Sequence, residues 1–265
     1  MIFAPSSITA FFSPRIHSEP KKAGSIGVGI TLNEGVVARE SKEEGVYLNG
    51  SKIEFPTVEY VLRKLGLKGV NLETKLPLSC GFGLSGASAL ATAFLSKEAD
   101  YFFLCDLAHE AEVIHKTGLG DVVTQTHGGV VARISEGAPS IAKVKKFFFN
   151  ATIDVIVLGK INTAEFLSSY NLKEISRIGE ECLKEFLKKP SLENLFELSK
   201  KFAIETGLGE EVKDVIEAVE AAGGKASMAM LGKTVFALNG REAFGDFSGL
   251  TFSARIRNCG VDANF

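Results

Sequence analysis

Residues 69–95 read GVNLETKLPLSCGFGLSGASALATAFL, and this stretch decides the architecture. Val70, Leu72, Thr74 and Leu76 alternate as in a strand with one face on a core. From Pro77 to Ala87 the strand gives way to the small-residue helix ASALATAFLS, through a turn holding Gly81, Gly83 and Gly86. A helix that starts this way offers unpaired amides and the positive end of its dipole, which together suit an anion. The spacing is neither G-x-x-x-x-G-K-[ST] nor G-x-G-x-x-G, and no lysine lies in the loop. Taken alone, the loop reads equally as a turn that binds nothing.

Upstream, Thr57–Leu65 has helical spacing, with Thr57 as the expected N-cap and Gly66 just past the end. Met1–Ala4, Ser25–Thr31 and Gly35–Glu40 are strand-like runs, and MIFAPSSITAFFSP, broken by Pro5 and Pro14, reads as a strand followed by a turn. Downstream, a helix is expected at Lys97–Lys116 and strands at Gly129–Ser135 and Ala142–Phe149. After Asn150 come a strand run Thr152–Leu158 and helices at 171–188, 191–205 and 210–222, the last stopped by Gly223-Gly224. A hairpin of Ala226–Leu231 and Thr234–Asn239 follows. Strands and helices mix without strict alternation, so the class is α+β, with domains expected at 1–150 and 151–265.

Composition narrows the function. Thirty Lys+Arg balance 32 Asp+Glu, which argues against a chain built to coat nucleic acid or an anionic membrane. With 45% hydrophobic and 23% charged residues the chain can build a core, and no apolar run is long enough for a membrane span. Cys80, Cys105, Cys182 and Cys259 are scattered and form no C-x-x-C pair, which points to a reducing cytoplasm and away from structural zinc.

The second place for chemistry is HEAEVIHKTGLGDVVTQTHGG, residues 109–129. His109, Glu112 and His115 recur every three residues along one helical face. H-E-x-x-H is absent, and a hydroxyl with a carboxylate suits a hard cation better than zinc. Magnesium held by Ser85 and Glu112 together with phosphate oxygens is chemically coherent. The plain reading is a solvated helix face, with Asp121 capping a turn.

Ala4-Pro5-Ser6, then P-x-x-x-G-x-G-x-S at Pro77–Ser85, a helix carrying Glu112, and T-G-L-G-D at 117–121 together resemble the GHMP small-molecule kinases. The resemblance covers nearly the whole chain. It implies a two-domain α+β fold, with a left-handed β-α-β crossover in the nucleotide-binding N-terminal domain and a ferredoxin-like C-terminal domain. It implies ATP and Mg2+ at Pro77, Gly81, Phe82, Gly83, Leu84, Ser85, Gly86 and Ala87, with Ser85 and Glu112 as metal ligands. Asp121 matches the carboxylate that orients or deprotonates the acceptor hydroxyl.

The chain departs from the broad family at Ser7, which stands where many members carry lysine, and in the C-terminal KASMAMLGKTVFAL, where Gly232 stands alone. ITAFF, CGFGLSGA, HEAEV, GLGDVVTQ, GGVVAR and ASMAMLG look most like the archaeal branch that phosphorylates pantoate for coenzyme A. On that pattern His109, Arg133, Thr163 and Ser13 would meet the acceptor. Arg133 would grip its carboxylate through the guanidinium fork, and Phe11 and Phe12 would form an apolar wall. The expected partners are ATP and this small acceptor, with no nucleic acid or membrane, and a homodimer if the chain self-associates. Shikimate or homoserine as acceptor, and a non-catalytic sensor on the same fold, are the competing readings.

Overall fold

The computed structural model describes residues 1–96, 98–160 and 171–263. Its centre is a long antiparallel hairpin of β1 (Ile2–Arg15) and β2 (Gly24–Glu40), in register from Ile2 opposite Ala38 to Arg15 opposite Gly24. Here the structure departs from the sequence reading, which ends the first strand at Ala4 and splits residues 25–40 into two runs. Both prolines are tolerated because β1 pairs with β2 alone, so a missing N–H on its outer edge breaks no ladder bond. Register shifts between Pro5 and Ser7 and between Thr9 and Phe11 are bulges, which re-aim the side chains between them.

The other edge of β2 is shared by β5 (Gly69–Glu73) and β6 (Val130–Arg133). With β3 (Gly45–Leu48), β4 (Ser51–Ile53) and β7 (Val144–Phe147) the order is β4-β3-β5-β2-β6-β7, and β1 lies off this path. β3 and β5 run parallel, joined by the crossover through α1 (Pro56–Leu65). Thr57 does not cap α1. Phe55 is the N-cap, its N–H donating to Glu59 Oε1 at 3.1 Å, while Gly66 ends the helix at φ 65° as expected. α2 (Leu84–Ala93), α3 (Tyr101–His115) and α4 (Asp121–His127) complete this half. α3 starts at Tyr101 because Asp100 caps it, accepting from the Phe103 amide at 3.0 Å.

The second sheet is antiparallel throughout. β8 (Thr152–Gly159), β9 (Lys225–Met228), β10 (Lys233–Leu238) and β11 (Leu250–Arg255) lie in the order β11-β8-β10-β9. Counted within this half that is 4-1-3-2, the ferredoxin-like order, although the connection from β10 to β11 holds only a 3-10 turn at Ala243–Asp246. α5 (Leu172–Lys188), α6 (Leu192–Glu205) and α7 (Lys213–Ala221) lie between β8 and β9 in the chain. Asn171 and Ser191 cap α5 and α6 by accepting from first-turn amides. Among the described residues no helix is long and apolar enough to cross a membrane.

The two sheets share one core. α5 and α6 pack on β1, where Phe11 meets Phe186 edge-on at 6.4 Å and Phe12 meets Phe202 at 5.6 Å. Gly179 of α5 sits directly on β1, and a Cβ there would stand 2.1 Å from the Phe12 carbonyl oxygen. Gly179→Ala must therefore push α5 off the strand. It should lower unfolding free energy by about 2 kcal/mol or more, measured by urea titration.

Candidate active site

Three elements converge at the start of α2. The Ser7 amide on β1 donates to the Phe82 carbonyl at 2.9 Å and so holds the glycine loop against the outer edge of the strand. From the other half, Thr234 Oγ1 donates to the Cys80 carbonyl at 2.7 Å, and Phe82, itself buried, packs against Phe252 at 5.8 Å. Pro77 lies in the connection leading from β5 into the loop. Gly83 is the N-cap, in the left-handed region at φ 59°. The amides of Leu84, Ser85 and Gly86 open the helix and have no intrahelical carbonyl to donate to; the Ala87 amide already takes Gly83 O at 3.0 Å.

Asp121 is the first residue of α4, held on a helix and not in a loose turn. Ser7 Oγ donates to its Oδ1 at 2.9 Å, and Thr9 Oγ1 reaches the same oxygen at 3.4 Å. Both hydroxyls come from the short stretch of β1 between its two register shifts. Burial raises the Asp121 pKa, with the charge of Arg133 and the two hydroxyls pulling it back down. Arg133, at the end of β6, is 1% exposed. Its Nε donates to Ser25 O at 3.2 Å and its Nη1 to Thr124 Oγ1 at 2.7 Å, while Nη2 is buried without a partner. Burial brings its pKa down to about 10 against the opposing pull of Asp121.

Glu112 on α3 is 2% exposed and its pKa is pushed up to about 7. Burial dominates; the Thr117 hydrogen bond and the nearby Ser85 hydroxyl oppose it, and the Asp121 charge adds to it. Thr117 Oγ1 donates to Glu112 Oε1 at 2.6 Å, but Oε2 is buried with no partner. A buried carboxylate oxygen in that state is poised for a cation. Among the described residues no three His, Cys, Asp or Glu side chains converge as a metal cage. One carboxylate and one hydroxyl beside a phosphate site is instead the sparse donor set magnesium accepts, because it takes its remaining oxygens from phosphate and water.

Ser85, Glu112, Asp121 and Arg133 thus come together, with Gly81–Ala87 as one wall. His109 is placed differently. It is 1% exposed, its Nε2 hydrogen-bonds Ala23 O at 2.9 Å, and burial lowers its pKa, so the ring is tied to the β1–β2 connection. Ser13 is fully buried and accepts from Arg15 Nη1 at 2.6 Å. Thr163 lies outside the described residues. Phe11 and Phe12 do not form a wall beside the acceptor; both rings are buried in the core. Arg133 has Nε and Nη1 already engaged, so a carboxylate would meet Nη2 end-on and not through the fork. Thr9, Thr117 and Gln125 also line the site: they fall inside ITAFF, TGLGD and GLGDVVTQ, motifs that carry the resemblance without giving these positions a role, and Ser7 stands in the sequence only as a departure from the family pattern.

Comparison with known proteins fits this geometry. A family model described as GHMP kinases N terminal domain matches residues 52–129, which span α1 to α4. The chain is 38% identical over 258 residues to the pantoate kinase of Thermococcus kodakarensis, covering 89% of this chain and 86% of that protein. The chain belongs to the GHMP kinases, in their pantoate kinase family. The pantoate kinase of Methanocaldococcus jannaschii is 35% identical, covering 92% of this chain and 94% of its own length. A solved structure described as a phosphotransferase related to the CoA biosynthesis pathway superposes with a TM-score of 0.85 at 32% identity, covering 99% of this chain and 98% of that one. The chain is accordingly an ATP-dependent small-molecule kinase.

For a GHMP kinase the weak point of such a site is Gly83. A Cβ there would stand 2.7 Å from Ser7 Oγ and 2.8 Å from both Asp121 Cγ and Gln125 Nε2. Gly83→Ala should lower kcat/KM on the order of 10²-fold, the scale of an ångström-sized misplacement. Gly50, at φ +83° with nothing within 4 Å, is the control. Gly50→Ala carries the backbone strain alone and should turn over like the parent in the same assay.

Proposed function

We propose that this chain transfers the γ-phosphoryl group of ATP to the primary alcohol of pantoate, giving 4-phosphopantoate for coenzyme A synthesis. The observation that carries this reading is Asp121. It is a half-buried carboxylate with one oxygen pinned by Ser7, standing across from unpaired helix amides and beside Glu112, one of whose carboxylate oxygens is buried without a partner. The kinship with pantoate kinases supplies the acceptor.

The first-turn amides of α2 would receive the nucleotide phosphates. Ser85 Oγ and Glu112 Oε2 would hold magnesium, whose charge offsets that on the β- and γ-phosphate oxygens. Asp121 accepts the hydroxyl proton as the alcohol oxygen bonds to the γ-phosphorus and the bond to ADP breaks. Its raised pKa favours that transfer late in a loose transition state. Arg133 Nη2 is the cation for the pantoate carboxylate. Domains at 1–150 and 151–265 place the nucleotide in the first and close the site with the second.

The acceptor is tested by assaying the chain with ATP, Mg2+ and pantoate beside shikimate, homoserine and pantoyl lactone. Pantoate should be phosphorylated fastest and the lactone, whose primary hydroxyl is esterified, not at all. Faster turnover of shikimate or homoserine would overturn the acceptor. Asp121→Asn should lower kcat by about 10²-fold with the KM for ATP little changed.

The metal assignment has a pH signature. Glu112 must lose its proton to bind magnesium, and its pKa stands at about 7, so protons compete below that pH. Apparent Mg2+ affinity should therefore weaken about tenfold between about pH 8 and about pH 6. Glu112→Gln should show weak affinity without that slope.

A further inference from the structure

Gln125 is fully buried on α4, one turn beyond Asp121, and carries no assigned role in phosphoryl transfer. Its Nε2 donates to Gly83 O at 2.8 Å and lies 3.1 Å from Ser7 Oγ. The Gly83 carbonyl can only accept, so the amide must turn its nitrogen toward the glycine loop. Gln125 Oε1 then faces away and is left buried with no partner, a cost the fold bears to keep the nitrogen where it is. The second Nε2 hydrogen goes to Ser7 Oγ, which commits the Ser7 hydroxyl proton to Asp121 Oδ1 at 2.9 Å. The hydrogen bonds run in one direction, from the amide into the glycine loop on one side and through Ser7 into the carboxylate on the other.

We propose that Gln125 is a positioning residue that sets Asp121 and the glycine loop in one frame by orienting the Ser7 hydroxyl. Ser7 alone is a rotor, able to donate or accept; with Gln125 donating to it, it donates to Asp121. Oδ1 is thereby occupied and Oδ2 is the oxygen left for the acceptor hydroxyl. Tying the same amide to Gly83 keeps that oxygen at a fixed distance from the helix start that receives the phosphates. The inference rests on the kinase reading above.

The test is a double-mutant cycle on the full chain, with kcat and both KM values measured under saturating Mg2+. Gln125→Met keeps the outline and removes the donors; Ser7→Ala removes the relay. Each should lower kcat about tenfold while the KM for ATP stays within about twofold, and the double variant should be no slower than the slower single one. Losses that multiply, or a Gln125→Met enzyme with the parent's kcat, would overturn the proposal, because a residue that only fills the core has no reason to act through Ser7. If Gln125→Met does not fold, Gln125→Leu, which also removes the donors, is read by the same criteria. If the parent phosphorylates a different acceptor, the reading of the substrate fails, and the cycle run on that acceptor still decides the role of Gln125.

Discussion

The outer edge of β1 is the constraint around which the molecule is arranged. An edge strand presents a row of unpaired backbone groups that a protein must cover. Here the cover comes from everywhere except another strand. The Phe82 carbonyl takes the Ser7 amide, the Met230 amide donates to Thr9 O, and Ser199 Oγ donates to Ala10 O at 2.9 Å. Helix α5 approaches closely enough at Gly179 to rest on the Phe12 carbonyl. Satisfying one strand edge thus brings the glycine turn, the second sheet and the helical layer to the same line. The candidate active site lies where that line meets α4.

The electrostatics of the site follow from the same burial. The Asp121 charge adds to burial in raising Glu112, and Arg133 is a cation that draws Asp121 back down. Position 7, lysine in many GHMP kinases, is a neutral serine here, so the residue against Asp121 contributes a hydrogen bond and no charge. A buried cluster with more carboxylate than cation is unfavourable by itself, and a bound divalent cation is what would offset that imbalance.

Much of this was legible in the sequence. The glycine turn, the α2 start and Gly66 as a helix stop are local signals, and local chemistry decides them. The continuity of β1 was not legible, because Pro5 and Pro14 are strand breakers everywhere except on an edge, and edge position belongs to the tertiary fold. α4 was missed because seven residues, DVVTQTH, are too short to show a helical period. Ser7 and Gln125 are 118 positions apart, and the hydrogen bond between them has no counterpart in the spacing of either segment.

The stitching of both halves onto one strand also limits how the enzyme can move. In many kinases two lobes swing like a clamshell around a hinge, and the cleft between them opens for exchange of substrates. Here the Met230–Thr9 and Ser199–Ala10 bonds and the Phe11–Phe186 contact cross between the halves through a continuous core, so a clamshell opening would tear apolar packing into water. Exchange of nucleotide and acceptor must be handled by the segments that rim the site, with the two sheets staying together as one rigid anvil. In this architecture opening of the site falls to rim loops and side chains, and crystals grown with and without substrates should superpose in their sheets.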